Sequence, residues 1–174
     1  MTFTILEDIE ATLKKEFAGF KYDTLTDTQE PNVWIGHAPP KKSMPAGAEN
    51  DTETGDPPFL VVRYLDDEDN DELPTSELEA KVGILCCVYS KDSYEDIKSG
   101  YKDIMNMADR VLLALKSKRY WGDKSWWREG AIKRTYGLQK ELNSIYQAGQ
   151  QTHPCYGAAV VATFKMASLS SPIL

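Results

Sequence analysis

Residues that usually carry chemistry are scarce in this sequence. It has two histidines and three cysteines among 174 residues. The serine-hydrolase elbow, the P-loop, the dinucleotide-binding glycine motif and the HExxH zinc motif are all absent. His37 and His153 belong to no motif, whereas general acid–base catalysis needs a proton carrier held in a pocket. We therefore expect no enzymatic activity, no catalytic residue and no cofactor.

The cysteines also argue against disulfides and a metal site. Cys86 and Cys87 are adjacent in a strand-like run, so their side chains should point to opposite faces and be poorly placed to bridge each other. No CxxC pair occurs, and neither histidine has a cysteine at zinc-ligand spacing. We expect buried free thiols in a reducing compartment, with a metal or redox role as the alternative.

Long hydrophobic runs are missing as well. No stretch approaches the roughly 18 uninterrupted apolar residues that a membrane span needs. The N-terminal stretch has mixed charges instead of a basic segment followed by an apolar one, which predicts no signal peptide. We expect a soluble protein with no membrane partner, which works where it is made.

Basic residues are few in the first half of the chain. Residues 1–87 carry 19 acidic and 7 basic residues, a net charge of −12, and residues 88–174 carry 8 acidic and 13 basic residues, a net charge of +5. A chain with one acidic and one basic half can attract copies of itself or a charged partner. The alternative is that the acids only solubilise loops. No concentrated basic run is present, so we expect no specific nucleic-acid partner.

Apolar spacing predicts two helices. Thr4–Phe20 has apolar residues at intervals of four, with Gly19 placed to end it. Ser93–Lys118 has apolar residues at intervals of three and four, with Ser93 as the helix cap. Its apolar stripe contains Tyr94, Ile97, Tyr101, Ile104, Ala108, Val111, Leu112 and Leu115.

β-branched and aromatic residues, or alternation of apolar and polar ones, predict the strands. They are Phe59–Leu65, Glu79–Ser90, Ala131–Leu142 and Cys155–Met166, with a shorter candidate at Asn32–His37. The sequence therefore predicts a single α+β domain over residues 1–174. Its mostly antiparallel sheet of four to five strands should have two helices packed on one face.

Two segments between these elements invite specific hypotheses. Ala38–Pro58 is rich in proline, glycine and acids, which predicts a long exposed loop that is either mobile or an arm docking on a neighbour. Asp66–Glu72 has six acids in seven residues, but a calcium-binding EF-hand loop would need glycine where Asp71 stands. We expect no metal, and a solvated hairpin tip or charged rim instead.

The most aromatic segment follows the second helix. Trp121, Trp126 and Trp127 are interleaved with Arg119, Lys124 and Arg128. Tryptophan and arginine are enriched at protein–protein hot spots. The alternatives are that the tryptophans fill the end of the core or stack on single-stranded nucleic acid.

The segments from Phe59 onward follow one another in a distinctive order. Strands at Phe59–Leu65 and Val82–Tyr89 precede the helix Tyr94–Leu115, the strand Ala131–Leu142 follows, and His153–Met166 closes the series with HP-x-Y-G-x-x-x-x-ATF. The order of these segments and their residue composition resemble those of the tail terminator (tail completion) proteins of long-tailed bacteriophages. The resemblance implies a small α+β fold, no enzymatic activity and no cofactor. It also implies a hexameric ring that stops growth of the tail tube and joins it to the head.

The resemblance implies that the chain has three kinds of partner: further copies of itself, the tail tube protein and a head-side connector protein. It also implies that the protein is located in the host cytoplasm during assembly and afterwards in the neck or tail of the virion. The acidic and basic halves suggest that acidic side chains of one copy contact basic side chains of the next copy in the ring. The candidate interface residues are Glu68, Asp69, Asp71, Trp126, Trp127, Arg128, Lys133 and Arg134. The alternatives are another phage neck or head-completion component, or a small-molecule or nucleic-acid binding module.

Overall fold

The computed structural model describes residues 2–24, 26–38, 56–70, 77–89, 97–136 and 155–167. Asp71, Ser93, His153 and most of the loop predicted at 38–58 lie outside these described residues. Within them are two helices and eight strands: α1 (Thr2–Glu16), β1 (Tyr22–Asp23), β2 (Thr28–Gln29), β3 (Asn32–Ile35), β4 (Phe59–Asn70), β5 (Glu77–Tyr89), α2 (Ile97–Lys116), β6 (Tyr120–Trp121), β7 (Trp126–Tyr136) and β8 (Cys155–Ala167).

Six of these strands form one sheet in the order β3-β4-β5-β8-β7-β6, and β1 and β2 form a separate hairpin. All neighbouring pairs in the large sheet are antiparallel except β3 and β4, which are parallel. The predicted α+β class with a mostly antiparallel sheet is therefore confirmed. The predicted four to five strands fall short of six because β6 has only two residues, too few to show a pattern.

The first helix buries the residues that its spacing predicted. Ile5, Ile9 and Leu13 of the helix are buried, and so is Phe17, which directly follows its end at Glu16. Gly19 follows with a φ of +84°, a left-handed conformation in which glycine commonly ends a helical segment. Helix α1 contacts β3 and β4 near one edge of the sheet and β6 at the other, so the sheet curls around this helix.

The second helix lies over β5 and β8 in the centre of the sheet. Of the predicted stripe, Ile104, Ala108, Val111 and Leu115 are buried and Leu112 is half-buried, whereas Tyr101 is 49% exposed beside Tyr136. Tyr94 and the side chain of Ile97 lie outside what the structure describes. The buried residues are Ile104, Met107, Ala108, Val111, Ala114 and Leu115. Within the part of the chain that the structure describes, no helix is long and apolar enough to cross a membrane.

Both helices belong to one core cluster with alternate residues of the sheet, so they share one face of it, as predicted. We refer to this as the helix face and to the other as the open face. Cys86 lies in the helix-face cluster, whereas Cys87 lies in a smaller open-face cluster with Phe59, Val61 and Leu85. Both side chains are buried, on opposite faces of the same strand, so the two neighbours do not bridge each other, as predicted.

A polar contact from α1 fixes the outer corner of the sheet. The carboxylate of Asp8 accepts a hydrogen bond of 2.8 Å from the backbone N–H of Gly122 and forms an ion pair with Lys118. Gly122 has a φ of +52°, and an added Cβ would lie 3.0 Å from Thr4 Oγ1 and from Trp126 Cδ1. Only glycine suits this turn between β6 and β7, so Asp8 and Gly122 together position the start of β7.

Candidate assembly interface

The acidic run predicted to be a hairpin tip or a charged rim lies largely within a strand. β4 continues to Asn70, and a register shift between Tyr64 and Asp66 marks a β-bulge. Asp66–Asn70 pair with Glu77–Lys81 of β5, so these five residues are part of the ladder, and the rest of the run lies outside the described residues. The strand prediction ended too early because charged residues are depleted in strands, yet the backbone ladder continues past the bulge.

The bulge decides which acids share a face. Asp66 and Glu68 lie opposite Lys81 and Glu79, on the open face, whereas Asp67 lies opposite Ala80 on the helix face. Asp69 lies opposite Leu78 and is also on the helix face. All residues of β4 from Asp66 to Asn70 are exposed. We name Asp66–Asn70 the acidic edge.

One lysine lies among the carboxylates of the open face. Lys165 Nζ of β8 is 3.3 Å from Glu77, 3.7 Å from Glu79 and 3.3 Å from Glu129. Hydrogen bonds to Glu77 and Glu129 raise the pKa of Lys165. None of these four residues is among the interface residues expected from the sequence, although the alternation of Glu77 and Glu79 with apolar residues is a usable signal.

The same side chains surround a shallow depression of about 280 Å³, lined by Glu68, Asn70, Glu77, Glu79 and Lys165. Small-molecule sites are usually apolar clefts with a few polar groups. This depression is lined by charged residues and one asparagine, and by no hydrophobic residue. It therefore resembles a charged surface more than a ligand pocket.

The basic candidates all belong to β7, which begins at Trp126 and not at the predicted Ala131. Lys133 is exposed on the open face opposite Val161 and makes no ion pair with any described residue. Arg134 is on the helix face and forms an ion pair with Asp109 of α2. Arg128 donates a hydrogen bond of 3.3 Å from Nη1 to the carbonyl of Gly130.

The acidic and basic candidates therefore lie at opposite sides of the sheet. β4 and β7 are separated by β5 and β8, a distance of about 14 Å at the usual strand spacing. Glu68 lies in the same cross-strand row as Trp127, and Lys133 lies in the row of Arg63. The two groups cannot pair within one chain, but each is accessible to another copy.

The tryptophans divide between core and surface. Trp121 and Trp126 are fully buried in the helix-face cluster, where the ring of Trp121 meets that of Phe164 edge-on at 5.9 Å. Trp126 is therefore removed from the candidate surface, because its side chain belongs to the buried cluster between the sheet and the helices. Trp127 is half-buried on the open face and donates a hydrogen bond of 3.3 Å to Glu129.

Burial makes the nucleophilic groups of the core unreactive. It raises the pKa of the Cys86 thiol well above its ordinary value and raises the pKa of Tyr22 to about 12. Burial and the nearby carboxylate of Asp67 also raise the pKa of Tyr64. In the described ranges, no three His, Cys, Asp or Glu side chains are grouped so that they could hold a metal ion.

A comparison with protein-family models and a search of curated proteins both find no match to this chain.

Proposed function

We propose that this protein is a structural subunit that assembles with copies of itself into a ring. The observation that carries the proposal is the separation of complementary charge on one sheet. Asp66–Glu68 lie at one side, and Lys133 and Arg134 lie at the other. A head-to-tail contact needs two different, complementary patches on each subunit, and these two segments meet that requirement.

The biological setting proposed for the ring is the neck of a long-tailed bacteriophage. There the ring would cap the tail tube and join it to the head, with the tube protein and a head-side connector as partners. The resemblance of Phe59–Met166 to tail terminator proteins supports this setting, and the α+β fold is compatible with it. We further propose that the ring is a hexamer without enzymatic activity, present in the host cytoplasm before it joins the virion.

Light scattering after size exclusion, combined with negative-stain electron microscopy, tests the proposal on the full chain. At low salt and high protein concentration we expect a closed ring with the mass of about six subunits. Added salt should weaken the association, because it screens the attraction between the exposed charges of the two patches. A monomer at every concentration and salt level would overturn the assembly proposal.

The phage setting has its own test. The preformed ring, added to purified tail tubes of the virus that encodes this chain, should bind at one end of each tube and stop further addition of tube protein. Tubes that continue to lengthen at the same rate would contradict the capping role, even if the ring itself forms.

A further inference from the structure

Two short segments of strand lie at the sides of the sheet without a neighbour among the described strands. On one side, β3 covers β4 only from Phe59 to Val62, with a last hydrogen bond from Gly36 to Val62. On the other side, β6 covers β7 only at Trp126 and Trp127, with one further bond from Arg128 to Arg119. The acidic edge and Lys133–Tyr136 therefore extend past these covering strands. We name Lys133–Tyr136 the basic edge.

The strand directions fix how two copies could join. β4, β5, β8 and β7 are successively antiparallel, so β4 and β7 run in opposite directions. If a second copy continues the sheet with its helices on the same side, its β7 meets β4 of the first copy as an antiparallel neighbour. That geometry forms regular inter-strand hydrogen bonds.

The faces of the side chains restrict the register of this contact. Residues directly opposite each other must point to the same face. Asp67 and Arg134 are both on the helix face, and Glu68 and Lys133 are both on the open face. One antiparallel register therefore pairs Asp67 with Arg134 and Glu68 with Lys133, two pairs of opposite charge.

The same register leaves the short covering strands clear. It places Thr135 opposite Asp66, beyond the end of β3 at Ile35, which lies opposite Val62. It also places Trp126 and Trp127, the residues that pair with β6, beyond the end of β4 at Asn70. Neither short strand therefore competes with the new contact for the same stretch of edge.

The register also permits a closed ring. It shifts each copy by about four residues along the regular strands β5 and β8, or about 14 Å, while the repeat of four strands measures about 19 Å across. These values correspond to strands tilted by about 35° from the ring axis, within the usual range for closed β-barrels. An antiparallel edge contact with this register is thus compatible with ring closure.

We infer that the ring is held by β-sheet continuation, in which the acidic edge of one copy, through Asp66–Glu68, binds the basic edge of the next. This inference rests on the proposed ring and names the contact within it. The ion pairs at Asp67–Arg134 and Glu68–Lys133 select the register, and backbone hydrogen bonds between the two strands provide the contact itself. Arg134 would then serve both Asp109 of its own chain and Asp67 of its neighbour.

A charge swap tests the contact. Glu68→Lys and Lys133→Glu should each weaken self-association by about tenfold, because each replaces an attraction with a repulsion across the contact. The double variant Glu68→Lys/Lys133→Glu restores opposite charges and should recover most of the association. Concentration-dependent light scattering measures each constant. Single variants that associate like the wild type would overturn the inference.

Helix α1 provides matched controls. Glu7→Lys and Lys15→Glu make the same changes in net charge at exposed positions of that helix and should leave association unchanged. Neutral variants exclude a different role for the edge charges. If these charges only prevent edges from pairing, Glu68→Gln and Lys133→Gln would strengthen association, whereas the proposed contact predicts that they weaken it.

Hydrogen exchange separates this inference from the proposed function. Amides of Arg63–Glu68 and Lys133–Tyr136 should become protected in the wild-type ring and remain unprotected in monomeric Glu68→Lys. A ring that forms without new protection at these segments would refute the edge contact and leave the ring proposal standing. A wild-type chain that never assembles would refute both.

Discussion

The two halves of the β4–β5 ladder share one backbone arrangement and differ in their side chains. From Phe59 to Val62, β4 is buried on both faces, whereas from Asp66 to Asn70 it is exposed. Tyr64 lies at the boundary, next to the bulge. The first half contributes hydrophobic burial and hence most of the stability. The second half contributes little burial and supplies the charged edge proposed for assembly.

The largest expected effect is a loss of stability in the buried half. Ile84 of β5 is fully buried between Val62 and Val160, so Ile84→Ala should lower the free energy of unfolding by about 3 kcal/mol. Urea denaturation under dissociating salt conditions measures it. Glu68→Ala, on the same ladder, should change stability by no more than about 0.5 kcal/mol. Comparable losses of stability in the two variants would show that the exposed half of the ladder stabilises the fold as much as the buried half.

A smaller effect distinguishes a buried tyrosine, Tyr22, from a half-buried one, Tyr64. Tyr22 donates a hydrogen bond of 3.0 Å to Asn106 Oδ1, whereas the buried hydroxyl of Tyr64 has no hydrogen-bond partner among the described residues, although Asp67 is near. Tyr22→Phe should therefore cost about 1 kcal/mol, while Tyr64→Phe should be close to neutral or stabilising. Equal losses of stability in the two variants would indicate that the hydroxyl of Tyr64 is hydrogen-bonded as well as that of Tyr22.

The pH dependence of Tyr22 gives the same comparison a second readout. Its pKa is raised from 10.0 to about 12 in the folded protein, so the unfolded chain loses the proton first. The resulting stabilisation is fully present below pH 10 and is lost as the pH rises to about 12. Tyr22→Phe should reduce the slope of stability against pH in this window.

The smallest effect is expected on the open face. Lys165→Met leaves Glu77, Glu79 and Glu129 without their shared cation, so the melting temperature should fall at low salt and recover as salt is added. The raised pKa of Lys165 means that its contribution persists below about pH 10.5, its ordinary value, and is lost at higher pH. Lys81→Met removes only one contact of 3.8 Å to Asp66 and should have less effect. A fall in the melting temperature of Lys165→Met that does not depend on salt would indicate that Lys165 stabilises the fold by packing instead.

Much of the fold follows from local spacing. The intervals in Thr4–Phe20 predicted the buried face of α1, and Phe59–Leu65 and Glu79–Ser90 were correctly predicted as strands. The opposite orientations of Cys86 and Cys87 also follow from strand geometry alone. Element ends were less predictable: β4 extends through an acidic run, and β7 includes Trp126 and Trp127, because pairing with a neighbouring strand overrides local preference.

Only part of the candidate interface could be predicted from the sequence. Glu68, Lys133 and Arg134 were singled out by charge, and they remain on the surface, but Trp126 was placed among them and is buried. No spacing in the sequence indicates that Lys165 lies between Glu77 and Glu129, because these residues come from three different strands. Tryptophan-rich segments are ambiguous in the same way, since a large ring suits both a core and an interface.

The sequence by itself determined the α+β class, the apolar faces of its helices and the division into an acidic and a basic half. These properties depend on residue type and on the fixed periods of helix and strand. Only the tertiary structure decided that β4 and β7 lie on opposite sides of the sheet. It alone placed the bulge that turns Glu68 to the open face and Asp67 to the helix face. Strand order and register depend on long-range pairing, which local spacing does not encode.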